Sequence, residues 1–440
     1  MKAYSKFNVL VLHQMGDPRD AREAVRSLEF MFLNNRLDLN CIIHDADIPF
    51  PSNLKEIDYH LIVLGPTFLC NSYKSSSFKS TLKNYNFIKE IVACKVAMPQ
   101  DEYDCSAILD DWMFDWKVDR IYSVLSSEHW NLLYPKYSKY GQIVSGYTGY
   151  ISDDWIKSWK NPKPHSMRRI DVSYRASKLD ENFGSHGQLK WKIAQKFKDA
   201  IPDNSNLALD ISWHQQDLIP GNSWHTFIEN SKFCLTVPSG SSILDPYNKI
   251  RNCVNLYKVV KKNPSFEQIE KHCFPGQDNK KLFTAISPRN LEAALAETVQ
   301  IGVIGDYSGL MRPMEHYIPI NKDCSNIYEV LQMMKDSLLV NKIKKNCKEL
   351  ILSESRLRQK TIVNEIVEFG EFISCQRNLQ AINQDKIDIR FAKYKSKINK
   401  ISSNYWKKKR ILRKLKDIGI FLGMRQVKHL LSSFFFKKYK

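Results

Sequence analysis

Ala285-Ile-Ser-Pro-Arg-Asn-Leu-Glu-Ala-Ala294 reads as a loop feeding a helix. Ser287 is placed to cap that helix, Pro288 to occupy its first position, and Glu292 lies one turn in. An acid there can accept two hydrogen bonds from a vicinal diol such as a ribose, while the helix N-terminus beside it faces phosphate oxygens. The same acid also complements the helix dipole, so spacing alone leaves both roles open. A second pair of acids ends an apolar run: Lys95-Val-Ala-Met98 is followed by Pro99-Gln-Asp101-Glu102. Asp101 suits a base or hydrogen-bond acceptor for a hydroxyl nucleophile, and both acids suit the cap of the next helix. Asp45-Ala-Asp47 has the D-x-D form that can hold a divalent ion, a triplet that arises often by chance. The cysteines and histidines have no zinc spacing, and the chain contains neither G-x-x-x-x-G-K-[ST] nor G-x-G-x-x-G. ATP hydrolysis and dinucleotide chemistry are disfavoured, and no metal or cofactor is expected.

These residues need a scaffold, and the rhythm of the chain supplies one. Phe7 to Leu12, Cys41 to His44, His60 to Gly65, Lys95 to Met98 and Arg120 to Val124 are short apolar runs that read as buried strands. Ala21 to Leu33 carries helical spacing between the first two. Such alternation predicts a parallel, doubly wound sheet. Around Ile151 to Met167 it breaks into Trp, Pro, Lys and Ser, with Pro162 and Pro164 close together. It then restarts: strand Ile170 to Tyr174, helix Gln188 to Ala200, strand Phe233 to Val237, helix Leu291 to Glu297, strand Val299 to Ile304. In open sheets of this kind ligands bind at the carboxyl ends of strands, and two facing sheets leave a cleft between them. Asn326 to Gln376 is helical in pattern and suits either a cap on the second sheet or a crossing back to the first.

With 440 residues, 43% hydrophobic and 12% aromatic, the chain can bury two cores. Its formal charge of +19 is concentrated at one end. Residues 391–440 hold 16 Lys or Arg and one acid, Asp417, so the rest of the chain is close to neutral. That distribution argues against an extended nucleic-acid face and for a separate electrostatic anchor. The anchor interleaves cations with Trp406, Ile418 and Phe434 to Phe436, which suits an interfacial segment on anionic lipid. Ten scattered cysteines without framework spacing read as buried thiols of a reducing compartment. No signal peptide or spanning segment is visible, so the expected location is cytoplasmic, peripheral on the inner face of the cytoplasmic membrane.

Arg289-Asn-Leu-Glu292-Ala-Ala, then Gln300 and Gly305-Asp-Tyr307-Ser308-Gly309, resemble the donor-site segment of GT-B glycosyltransferases. The chain is also similar to a bacterial group from surface-polysaccharide (O-antigen or capsule) gene clusters. That likeness runs through Val96 to Asp101, Trp112, Trp116, Ser173-Tyr-Arg175, Trp224, Pro238-Ser239-Gly240, Asp245-Pro246, Pro313 to Tyr317 and Lys322 to Asn326, over residues 7–345. The resemblance implies an α/β fold of two doubly wound Rossmann-like domains facing a cleft, with a basic C-terminal helical tail. The corresponding division is an acceptor domain, 1–160; a nucleotide-sugar domain, 166–345; a helical cap or crossover, 346–385; and a membrane-associating tail, 386–440.

The same resemblance implies transfer of a sugar from a nucleotide-sugar to a glycan, polyprenyl-diphosphate-linked acceptor, without metal or nucleic acid. Glu292 would hold the ribose, the amides near Ser287 would face the diphosphate, and Arg175 would neutralise the leaving group. Lys190 or Lys192 would add a second cation, and Arg289, Ser239, Gly240, Asp245, Tyr307 and Ser308 would complete the donor site. From their own place at the end of a strand, Asp101 and Glu102 would act on the acceptor hydroxyl, while His13 and Asp17 lie on the first strand's loop, where the family tends to contact the acceptor. The sequence departs from the family at one point. Retaining members often carry two glutamates eight positions apart, and the position eight before Glu292 is Thr284. The stereochemical outcome is therefore open, and a non-catalytic nucleotide- or sugar-binding module of an assembly complex stands as the alternative.

Overall fold

The computed structural model describes residues 6–219, 221, 223–379 and 383–421. The first domain is a parallel sheet in the order β2-β1-β3-β4-β5-β6. Its strands are β1 (Asn8–His13), β2 (Asn40–Asp45), β3 (Leu61–Leu64), β4 (Cys94–Ala97), β5 (Arg120–Ser123) and β6 (Gln142–Ser145). Side chains alternate across it as strand geometry demands: Leu10 and Leu12 belong to one buried cluster, Val9 and Val11 to the other. The helix expected over Ala21 to Leu33 is divided at Phe30, and its first part is α1 (Glu23–Glu29).

The second domain is a parallel sheet in the order β13-β12-β9-β7-β8, from β7 (Ile170–Arg175), β8 (Leu209–Ser212), β9 (Ser231–Thr236), β12 (Val299–Val303) and β13 (Ile318–Ile320). A separate antiparallel pair, β10 (Ser239–Ser241) and β11 (Phe283–Ala285), stands at its edge toward the first domain. Helices α2 (Gly184–Ala200), α3 (Ser223–Glu229) and α4 (Pro288–Leu295) flank the strand ends that face the first domain. Two doubly wound sheets facing a cleft are the GT-B arrangement.

The chain passes between the domains twice, and the two passages are tied to each other. Ile151 N–H donates to the Leu357 carbonyl at 2.7 Å, and Gln359 N–H to the Ile151 carbonyl at 3.0 Å. After the second passage, α5 (Gln359–Gln376) returns to the first domain, where Ile362, Val363, Ile366 and Val367 enter the cluster on one face of the sheet. The spacing i, i+1, i+4, i+5 gives this helix the apolar stripe that such a site needs.

The last element, α6 (Gln384–Phe421), covers the opposite face. Ile387, Phe391 and Tyr394 are buried there in a stripe at i, i+4, i+7. Further along, Trp406 is buried and its Nε1–H donates to Asp45 Oδ2 at 3.1 Å. The described part of the basic segment is thus an integral layer of the first domain rather than a separate tail. Its cations Lys393, Lys395, Lys397, Lys400, Lys407, Lys409, Arg413 and Lys414 are exposed. The terminal Phe434 to Lys440 run lies outside the described residues.

One other expectation changes. Cys253 and Cys273 form a disulfide joining the helices Lys249–Val260 and Phe266–Cys273, so not all ten cysteines are thiols. No helix among the described residues is long and apolar enough to cross a membrane.

Candidate functional site

The cleft holds a cavity of about 430 Å³ bounded by both domains. The first domain contributes α1, the start of the helix Pro66–Leu69 and the loop after β4; the second contributes the ends of β7 and β9, β10, α3 and the N-terminus of α4. It sits where the order of the second sheet reverses, between β7 and β9, which is where open α/β sheets bind ligands.

Glu292 is the best-defined group in it. Its side chain is buried, and Oε2 accepts from Trp224 Nε1 at 2.7 Å. Burial pushes its carboxyl up to about 7, although Trp224, Arg289 and Arg22 pull the other way. The guanidinium of Arg289 lies over the Trp224 ring, 5.5 Å from its centroid. Beneath the N-terminus of α4, the Asn290 side chain is fixed by a buried network. It donates to Thr236 Oγ1 at 2.8 Å and Gln300 Oε1 at 2.6 Å, while Oδ1 accepts from Ser287 N–H at 2.9 Å. This network aims the first turn of α4, with Ser287 and Arg289, into the cavity.

Lys190 also lines the cavity and donates to Ser239 Oγ at 3.1 Å. Burial lowers its ammonium to about 8, against the attraction of Asp101 across the cleft. Ser239 and Gly240 line the cavity beside it. Gly240 has φ 145°, and a Cβ there would overlap the Phe283 carbonyl oxygen, so this close pairing of β10 with β11 admits only glycine. On the first-domain side, Asp101 is exposed to the cavity in the left-handed region, φ 53°, and accepts from the Tyr103 hydroxyl at 2.5 Å.

The structure therefore brings together Asp101, Lys190, Ser239, Gly240, Ser287, Arg289 and Glu292. It also adds groups that the sequence did not single out. Arg22 precedes α1 and lies within electrostatic reach of Arg289 and Glu292. Glu29 is buried in the first-domain wall, where Oε1 accepts from Thr67 N–H at 2.9 Å and burial raises its carboxyl to about 7. Trp224, noted only for the resemblance, holds Glu292. No signal in the sequence marks Arg22 or Glu29, because only the fold brings them to the cavity.

Of the remaining expected site residues Arg175 also lines the cavity, and the others are placed elsewhere. Glu102 turns into the first-domain core, where it accepts from the Tyr134 hydroxyl at 2.7 Å and Val124 N–H at 2.9 Å. Burial raises its carboxyl to about 7. Arg175 borders the cleft, but its guanidinium donates to the carbonyls of Asp217, Tyr174 and Asp210 and pairs with the Asp210 carboxylate at 2.6 Å. It braces the end of β7 rather than presenting its charge. Lys192 lies on another face of α2 from Lys190, with its ammonium over Phe266 at 5.4 Å. Asp245 caps the helix Lys249–Val260, accepting from Lys249 N–H and Arg251 N–H at 2.9 Å each.

Tyr307 is fully buried and donates to the Val303 carbonyl. Ser308 accepts from Ile286 N–H at 3.0 Å and so supports the loop before α4 from behind. His13 is buried at the end of β1, and burial lowers its imidazole to about 4. Asp17 is clamped by Arg19 and by Arg410 of α6; burial raises its pKa, but these partners outweigh that and hold it at about 2. Of the D-x-D pair, Asp45 accepts from Trp406 and Asp47 from Gln14 Nε2 at 3.0 Å. Among the described residues no group of three or more His, Cys, Asp or Glu is placed to hold a metal.

No family model matches the chain, and no curated protein matches it in sequence. Solved structures align with most of its length at low identity. A glycosyltransferase from Rickettsia africae is 11% identical, with 84% of this chain and 99% of that chain covered and a TM-score of 0.43. Anabaena Alr3699/HepE, in complex with UDP and glucose, is 10% identical over 82% of this chain and 98% of that one, TM-score 0.44. The β-glucosyltransferase of T4 phage is 12% identical over 84% and 98%, TM-score 0.42. At these scores the fold assignment stands on the two sheets themselves.

Proposed function

We propose that this chain is a glycosyltransferase that moves a sugar from a nucleotide-sugar to a glycan acceptor. The observation that carries the reading is the buried Glu292 beside Trp224 and Arg289 at the N-terminus of α4, facing Asp101 across the cleft. The ribose diol would donate to the Glu292 carboxylate, and the indole would flank the nucleoside. The diphosphate would meet the α4 amides and the charges of Lys190, Arg289 and Arg22. As the bond between the anomeric carbon and the diphosphate oxygen breaks, these cations stabilise the charge that develops on the leaving group. Asp101 is the group available to orient the acceptor hydroxyl and, in an inverting reaction, to take its proton. The alternative of a binding module without turnover is favoured by Thr284, which stands where retaining relatives carry a second acid.

The acceptor assigned to the enzyme is a polyprenyl-diphosphate-linked glycan in surface-polysaccharide synthesis, met at the cytoplasmic face of the membrane. Support comes from the exposed cations of α6, each worth about 1 kcal/mol near an anionic surface. Incubation of the protein with radiolabelled nucleotide-sugars and bacterial membranes should move label into the organic-solvent-extractable lipid fraction. Label confined to free sugar would refute the lipid-linked acceptor. Sedimentation with phosphatidylglycerol vesicles but not with phosphatidylcholine vesicles is expected, and equal recovery with both would remove the membrane role of α6.

A further inference from the structure

The loop that carries Asp101 is held from the other domain. It runs from β4 to the helix Ser106–Asp115 and contains two residues in the left-handed region, Asp101 at φ 53° and Cys105 at φ 60°. For residues other than glycine that conformation persists only where the surroundings fix it. Inside the loop, Asp104 N–H donates to the Asp101 carbonyl at 2.8 Å. Further backbone partners come from the segment that follows β10 in the second domain. Asp245 N–H donates to the Tyr103 carbonyl at 3.0 Å, Cys105 N–H to the Asp245 carbonyl at 2.7 Å, and Ala107 N–H to the Pro246 carbonyl at 3.1 Å. Asp104 and Asp245 thereby form a parallel bridge. A helix leaves its first amides without partners of its own, and here the second domain supplies the acceptors for Cys105 and Ala107.

Side chains repeat the connection. The Asp104 carboxylate pairs with the guanidinium of Arg251 on the helix Lys249–Val260, the helix that Asp245 caps. That guanidinium lies over the rings of Tyr73 and Phe183, 5.4 and 5.6 Å from their centroids. Tyr103 is buried, with its ring edge-on to Phe183 at 6.1 Å and beside Phe283 of β11 at 6.3 Å. Its hydroxyl donates to Asp101 Oδ1 at 2.5 Å. An acid that orients or deprotonates a hydroxyl must aim an oxygen at it. With Oδ1 held by Tyr103, Oδ2 is the oxygen left for the acceptor.

On the reading that Asp101 acts on the acceptor hydroxyl, we propose that Tyr103, Asp104 and Arg251 are its positioning residues, and that Asp101 is aimed only while the second domain grips its loop. The β10–β11 pair that lines the cavity also supports Tyr103 through Phe283. Acceptor activation is thus tied to the domain that holds the donor.

Two measurements on the full chain test this, one of them without turnover. The double variant Asp104→Asn/Arg251→Met leaves no charge unpaired. Amide exchange read by mass spectrometry should quicken in it by about tenfold or more over residues 101–107, with no change over β1. Tyr103→Phe removes only the hydroxyl. With a panel of UDP-, GDP-, ADP- and CDP-sugars, nucleoside diphosphate release should show kcat lower by about tenfold or more and the donor KM unchanged. The acid limb of its pH profile should move upward, since a hydrogen bond to the carboxylate favours the ionised form. In an Asp101→Asn background the same substitution should have no further effect. Unaltered exchange in the double variant, a parent-like kcat in Tyr103→Phe, or an equal additional loss in the Asp101→Asn background would overturn the assignment. A parent-like rate in Asp101→Asn alone would instead refute the role of Asp101 itself, a failure that the exchange measurement does not share.

Discussion

Glu292→Gln should make the free protein more stable and the liganded protein weaker, a combination that separates a ligand-binding acid from a structural one. The carboxyl is buried, and in the folded chain it titrates near 7 instead of its ordinary 4.5. A folded-state pKa raised in this way contributes stability that is present below about 4.5 and lost as pH rises through about 7. The displacement corresponds to about 3 kcal/mol. An amide has no such loss, but it accepts more weakly from Trp224, which costs about 1 kcal/mol. At pH 8.5 the variant should therefore exceed the parent by about 2 kcal/mol, roughly 4–8 °C in melting temperature for a domain of this size. At pH 5 it should be no more stable.

Nucleotide binding should move in the opposite direction. The ionised carboxylate is the form that accepts from a ribose diol, so affinity in the parent should rise about tenfold between pH 6 and pH 8. In the variant that pH dependence should vanish, and affinity at pH 8 should fall by about 1.5–3 kcal/mol, tenfold or more. Thermal melts at the two pH values and calorimetric titration with nucleoside diphosphates measure both. A lower melting point at pH 8.5 together with unchanged nucleotide affinity would refute the reasoning.

Three other expectations follow from the same structure. Asp101→Asn keeps a side chain that tolerates the left-handed backbone, so donor affinity should persist while kcat falls by about 10²–10⁴; a rate within a factor of two of the parent would exclude Asp101 from the chemistry. Gly240→Ala forces an L side chain to φ 145° against the Phe283 carbonyl, and denaturant titration should show a loss of at least about 1–3 kcal/mol from the conformation alone. Trp406→Ala removes a buried indole and its bond to Asp45, so unfolding should reveal a loss of about 3–5 kcal/mol, where an unattached tail would show none.

What could be read in advance follows from where each residue sits. The central strands, such as Val9 to Leu12 and Ile62 to Leu64, are buried on both faces and announce themselves as apolar runs. The edge strands β6, β8 and β13 do not: Gln142 and Ser145 are exposed, Leu209 and Asp210 half-buried, and β13 is three residues long with Pro319 at its centre. The apolar stripe of α6 was obscured by the cations that fill its exposed face. Within the site, the α4 motif was legible because cap, proline and acid act locally. Asp101 and Glu102 looked equivalent, yet the left-handed turn at Asp101 leaves one facing the cavity and the other in the core. Lys190 and Lys192 are separated by helical rotation, which spacing does encode. Arg175 could not have been placed, since its partners Asp210 and Asp217 lie on and after a strand that sequence did not reveal.

The most direct test of the central claim is a panel of UDP-, GDP-, ADP- and CDP-sugars, read by thermal shift and by release of free nucleoside diphosphate, with and without EDTA. The account predicts that one nucleotide stabilises the protein and is released on turnover in either condition. Absence of both stabilisation and release with every donor would contradict it.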